Sequence, residues 1–121
     1  MDQPKCCVNN CAIARLAETE RNIVLGCDLL ALKSIYATRR SFVRMVRDSF
    51  NIDEAHAARC MLVARRYGDR RDITNCVSWA TLVELSAPET PDSVRRDIEQ
   101  RVIDGERVSA TDIYKARLQA A

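Results

Sequence analysis

Between Arg39 and Arg71 the chain carries nine arginines: Arg39, Arg40, Arg44, Arg47, Arg59, Arg65, Arg66, Arg70 and Arg71. Only four acids stand among them, Asp48, Asp53, Glu54 and Asp69. The remainder of the chain holds more acids than bases, so the formal net charge of the whole is only +2. Guanidinium groups are planar, permanently charged donors that fit phosphate oxygens and the major-groove edge of guanine. A local basic patch on a nearly neutral chain is what phosphate binding requires. The competing reading is a solvated helix face with intrahelical pairs such as Arg44 with Asp48. Lys occurs only at Lys5, Lys33 and Lys115, a bias that a GC-rich genome explains as well as function does.

Other reactive side chains are few. His56 is the single histidine, and on an Ala-rich stretch it reads as structural or solvent-facing rather than catalytic. No Ser-His-Asp order, Gly-rich phosphate loop, HExxH or carboxylate pair in apolar surroundings can be found, so no enzyme is expected. The six cysteines are Cys6, Cys7, Cys11, Cys27, Cys60 and Cys76. No CxxC pair exists, which argues against zinc, and neither metal nor cofactor is expected. Cys27, Cys60 and Cys76 read as small core hydrophobes; the first three fall in a stretch, residues 1–9 and just beyond, expected to fray. Trp79 recurs at helical spacing with Leu82, Val83 and Leu85, which suits the core, or alternatively an anchor for a protein partner. Tyr36, Tyr67 and Tyr114 form no evident stacking platform for single strands.

Helices must position these groups. Gly and Pro number three each, too few for the turns of an all-β sandwich. Apolar spacing from about Asn10 to Thr38 (Ile13, Leu16, Ile23, Cys27, Leu30) predicts one long helix or two end to end. Gly26 within it marks a bend or a close helix contact. Ser41 is expected to cap a second helix, with Phe42, Val43, Val46 and Phe50 on one side and Arg44, Arg47 and Asp48 on the other. After Asn51-Ile52-Asp53, Asp53 should cap a third helix that stops at Gly68. Ala55, Ala58, Met61, Leu62 and Arg65 mark its spacing, and its small residues would let another helix approach. Gly68 to Asn75 reads as a polar loop, followed by a helix from Ser78 to about Ala87. Thr90 and Pro91 should open a fifth helix to Asp104, with Val94, Ile98, Val102 and Ile103 inward and Gly105 ending it. Ser109 to Asp112 resembles a capping box for a sixth, carrying Ile113, Tyr114 and Leu118.

The expected fold is therefore all-α. A compact bundle of five to six helices would have a helix-turn-helix-like centre and a long N-terminal helix, in one domain spanning residues 1–121. A helix of about ten residues, a tight turn and a second Ala-rich helix form the layout that places a helix in a DNA groove. The usual turn Gly is absent, and Asn51 and Asp53 stand in its place.

The run FVRMVRDSFNIDEAHAARCMLVARRYG and the SWATLVELSAPETPD segment that follows carry a resemblance. Together they are similar to an uncharacterised family of bacterial, phage and plasmid proteins with a helix-turn-helix-like core. The resemblance covers about residues 35–118 and rests on Phe42, Phe50, Ile52, Ala57, Met61, Ala64, Leu82, Leu85, Pro88, Pro91, Gly105 and Val108. Asp53 departs from a usual Ser, and His56 from a usual Thr. The resemblance implies a mobile-element or regulatory helical protein.

The expected function is a small DNA-binding regulatory protein acting on double-stranded DNA, as a homodimer. Arg39, Arg40, Arg44 and Arg47 would hold phosphates, His56 and Arg59 would face the groove, and Arg65, Arg66, Arg70 and Arg71 would meet the flanking backbone. The alternative is a protein-interaction module (antirepressor, inhibitor or adaptor) docking through the long first helix and Trp79. No apolar run approaches the roughly 20 residues of a membrane span, and no secretory signal is evident, so a reducing cytoplasm and no membrane are expected.

Overall fold

In the computed structural model, residues Asn10–Ala120 are described; the expected frayed terminus, Cys6, Cys7 and the side chain of Cys11 lie outside them. Among the described residues all regular structure is helical, in seven helices. They are α1 (Asn10–Lys33), α2 (Arg39–Met45), α3 (Glu54–Tyr67), α4 (Arg71–Thr74), α5 (Trp79–Ser86), α6 (Asp92–Ile103) and α7 (Ala110–Ala120). A π-helical turn, Val46–Phe50, extends α2.

α1 and α3 form the spine. The reason is Gly26: a Cβ there would collide with the carbonyl of Cys60 and lie 2.8 Å from the Cβ of Ala64. With no side chain on α1 at this point, and Ala57, Cys60 and Ala64 buried on α3, the two backbones come together. Gly26 is thus a close helix contact rather than a break, since α1 runs through it. The buried face of α3 is Ala57, Cys60, Val63, Ala64 and Tyr67. The spacing drawn through Ala55 and Ala58 marks the solvent side instead, because both are exposed.

Two apolar clusters lie along this spine. The larger joins Ile23 of α1 and Val63 and Tyr67 of α3 to residues of α4 to α7, among them Ile73, Leu82, Leu85, Ile98 and Ile113. The smaller joins Leu29, Phe42, Val46 and Ala57, so α2 and its π turn are held through Phe42 and Val46, with Met45 and Phe50 packed beside them. The segment read as a polar loop contains α4, which buries Ile73 and Thr74. α1 ends at Lys33 rather than Thr38. Ile103, expected inward, is 51 % exposed, one residue past the buried Val102.

The helix ends show why the boundaries fall where they do. Thr38, not Ser41, caps α2: its hydroxyl accepts from the Ser41 N–H, and the Ser41 hydroxyl donates back to the Thr38 carbonyl. Asp53 accepts from the His56 N–H at 2.7 Å and starts α3. Ser78 accepts from the Thr81 N–H. Thr90 does not cap α6; its hydroxyl donates to the Glu84 carbonyl, and Pro91 precedes the first turn. Gly105, at φ 94°, closes α6 with the paired bonds Gly105 N–H to Val102 O and Glu106 N–H to Arg101 O. Ser109 and Asp112 exchange backbone-to-side-chain bonds at the start of α7, a capping box with Asp in place of Glu.

Candidate nucleic-acid interface

α2 presents Arg40, Arg44 and Arg47 at i, i+4 and i+7, and all three are exposed on the side away from Phe42 and Val46. Arg44 makes no ion pair with Asp48. The π turn replaces the i→i+4 repeat with i→i+5, and Asp48 lies beside Arg47 at 3.6 Å instead. Both partners of that contact are largely exposed, so it restrains Arg47 little.

The connection to α3 is Asn51-Ile52-Asp53. Asn51 is the single non-glycine residue with positive φ among those described (φ 57°, ψ 41°). Asn tolerates the left-handed region better than most side chains, so it serves where a Gly would be expected. Ile52 turns its side chain onto the smaller cluster.

On α3 the solvent face is centred on Ala55, Ala58 and Leu62, with Arg59 and Arg66 on one flank and Arg65 on the other. Ala55 and Ala58 are exposed and short, so a flat surface could approach the helix closely. His56 lies toward the opposite side and is half-buried. Its Nε2 sits 3.5 Å from the Sγ of Cys60. Burial pushes the Cys60 thiol up to about 11, against a smaller opposing effect of Arg59, so this pair holds no thiolate nucleophile at neutral pH.

The remaining arginines are engaged by acids. Arg39 pairs with Glu54 across the α2–α3 connection, and Arg71 pairs with Glu20 of α1. Arg70 bonds Asp72 at 3.0 Å and lies 3.6 Å from Glu99. Hydrogen bonding to Arg70 holds the Asp72 carboxyl below its ordinary range. Among the described residues no acid partners Arg40, Arg44, Arg59, Arg65 or Arg66. The nine central arginines thus divide: the α2 stripe and the flanks of α3 face solvent unpaired or loosely paired, while Arg39, Arg70 and Arg71 serve tertiary ion pairs.

Trp79 is half-buried against the larger cluster, at the first turn of α5. Exposed apolar side chains lie elsewhere: Ile103 ends α6, and Tyr114 and Leu118 sit one turn apart on α7. Arg117 reaches back from α7 to Glu84 at 2.8 Å and lies over the Tyr114 ring at 5.9 Å.

A buried arginine was not foreseen. Arg95 donates to the carbonyls of Leu85 and Thr90, each at 2.9 Å, and pairs with Asp92. It satisfies the backbone of the α5–α6 connection. No sequence signal separates it from its exposed neighbour Arg96 except its place one residue after the buried Val94.

No helix among the described residues is long and apolar enough to cross a membrane, and no cluster of three or more His, Cys, Asp or Glu among them could hold a metal ion. Comparisons with protein-family models, with curated protein sequences and with solved structures return no match.

Proposed function

We propose that this chain is a small DNA-binding regulatory protein of a bacterial or mobile-element system, meeting duplex DNA as a homodimer through α2 and α3. The observation that carries this reading is the set of exposed, acid-free arginines on the outer faces of two helices joined by a tight left-handed turn. Arg40, Arg44 and Arg47 are spaced to follow one line of phosphates along α2. The short side chains of Ala55 and Ala58 let α3 approach a groove, where Arg59 is the candidate for base edges. Arg65 and Arg66 would meet the flanking backbone. His56, turned toward Cys60, has a smaller part in this reading than its sequence position suggests.

Fluorescence anisotropy of a labelled duplex tests it, at about 50 and about 200 mM salt. The expected result is micromolar or tighter binding that weakens steeply with salt. An Arg44→Ala/Arg47→Ala variant should bind more weakly with a salt slope smaller by about 2 per protomer, while Arg96→Ala on α6 should bind as the parent does. Absence of binding at the lower salt, or equal binding by the double variant, would overturn it. The second reading, a protein-interaction module, is favoured by the exposed Ile103, Tyr114 and Leu118. Absence of DNA binding together with self-association or partner capture lost on Tyr114→Ala/Leu118→Ala would select it.

A further inference from the structure

A cleft of about 350 Å³ opens between the end of α1, the start of α2 and the first half of α3. That volume lies at the lower end of the range for small-molecule sites. Its walls include Phe42, Val43, Val46, Ala58 and Met61, and the ring of Tyr36, which stands edge-on to Phe42 at 6.2 Å, lines it as well. Phe42 and Val46 belong to the smaller cluster, so the cleft continues that cluster outward without filling it.

Three charged side chains also line the cleft: Lys33, Arg39 and Glu54. Arg39 and Glu54 neutralise each other in their ion pair. Lys33, in the last turn of α1, has no acid partner among the described residues. The apolar hollow therefore carries one uncompensated positive charge.

We infer that this cleft binds a small organic acid with an aromatic or branched aliphatic body. The body would lie against Phe42, Val46 and Met61, and its carboxylate would meet the Lys33 ammonium. Charge decides the class: a cation would face Lys33 and Arg39, while the one carboxylate nearby is already engaged. None of the five acid-free central arginines lines the cleft, so the inference stands apart from DNA binding.

The test is a titration of ¹⁵N-labelled protein with 4-phenylbutyrate, 4-methylpentanoate and indole-3-acetate, each beside the alcohol of the same carbon skeleton, followed by amide chemical shifts. At least one acid should give saturable shifts centred on Phe42, Ala58 and Met61, and should bind several-fold tighter than its alcohol. Lys33→Ala should lower the affinity for the acid by roughly three- to fivefold and leave the alcohol unchanged. Ala58→Phe, at an exposed position of α3 that lines the cleft, should abolish both while the remaining spectrum reports an intact fold. The inference is overturned if no acid gives saturable shifts at these residues. It is equally overturned if acid and alcohol bind alike, or if Ala58→Phe leaves binding intact.

Discussion

Substituting Gly26 by Ala tests the α1–α3 crossing on which both clusters depend. Within a helix, Gly costs about 1 kcal/mol relative to Ala, so on an open face the change stabilises. Here the added methyl would overlap the Cys60 carbonyl oxygen and lie 2.6 Å from the carbonyl carbon and 2.8 Å from the Ala64 Cβ. A side-chain methyl can yield a little; a peptide carbonyl inside a hydrogen-bonded helix cannot. The helices must separate, loosening a seam that buries Ile23 and Leu29 completely or nearly so. Overpacking costs about 1–3 kcal/mol, and a backbone obstacle places this case at the upper end. Subtracting the propensity gain leaves a net loss of about 2 kcal/mol. At about 4 °C per kcal/mol for a chain of this size, the thermal midpoint should fall by about 8 °C. Far-UV circular dichroism measures it, with Ala17→Gly on the exposed side of α1 as the ordinary helix control. Adding Ala64→Gly should not restore stability, because the nearer obstacle is the Cys60 carbonyl. A Gly26→Ala protein melting at or above the parent temperature would refute the close crossing.

Two further outcomes follow from buried polar groups. Arg95→Ala strands the carbonyls of Leu85 and Thr90 and should cost about 3 kcal/mol in urea unfolding, with Arg95→Lys recovering only part, since one ammonium cannot span both oxygens; a loss under about 1 kcal/mol would sink this account. Tyr67 donates to Glu99 at 2.6 Å, and burial first, then Glu99, raises its phenol well above the ordinary 10.0. In the unfolded chain Tyr67 therefore loses its proton first, so its contribution is complete below about pH 10 and declines as pH rises further. The urea midpoint should drop from about pH 10 upward, and less so in Tyr67→Phe; equal drops in the two proteins would contradict the assignment.

Local signals in the sequence were legible wherever a single side chain decides a boundary. Asp53, Ser78, the Ser109–Asp112 box and Gly105 all act within four residues of themselves. At the start of α2, Thr38 and Ser41 both offer hydroxyls, and they bond to each other's backbone, so composition alone could not rank them. The face of α3 was not legible because Ala occurs on both of its sides. A 3.6-residue pattern needs contrast between large apolar and polar positions, and Ala55, Ala57, Ala58 and Ala64 supply none. The choice of face is made by Gly26, more than thirty residues upstream, since Cys60 and Ala64 alone fit against it. The same holds for α4: the letters of GDRRDITN are mostly polar, yet Ile73 joins the larger cluster and Thr74 is buried next to it in the chain.

Charge shows the same division between composition and geometry. The basic surplus between Arg39 and Arg71 is visible in the sequence, but the partners that diminish it lie elsewhere: Glu20 on α1 for Arg71 and Glu99 on α6 for Arg70. The exposed Arg71–Glu20 pair is worth about 0–1 kcal/mol, so a duplex could displace it at small cost, whereas Glu99 is mostly buried and also holds Tyr67. The salt dependence of DNA binding therefore separates three arrangements. If only the acid-free arginines Arg40, Arg44, Arg59, Arg65 and Arg66 meet phosphates, the slope should be about 4 to 5 per protomer. A slope of about 3 would confine contact to the Arg40, Arg44 and Arg47 stripe of α2. A slope of about 8 would require the central arginines, Arg39, Arg70 and Arg71 among them, to leave their acids for the duplex.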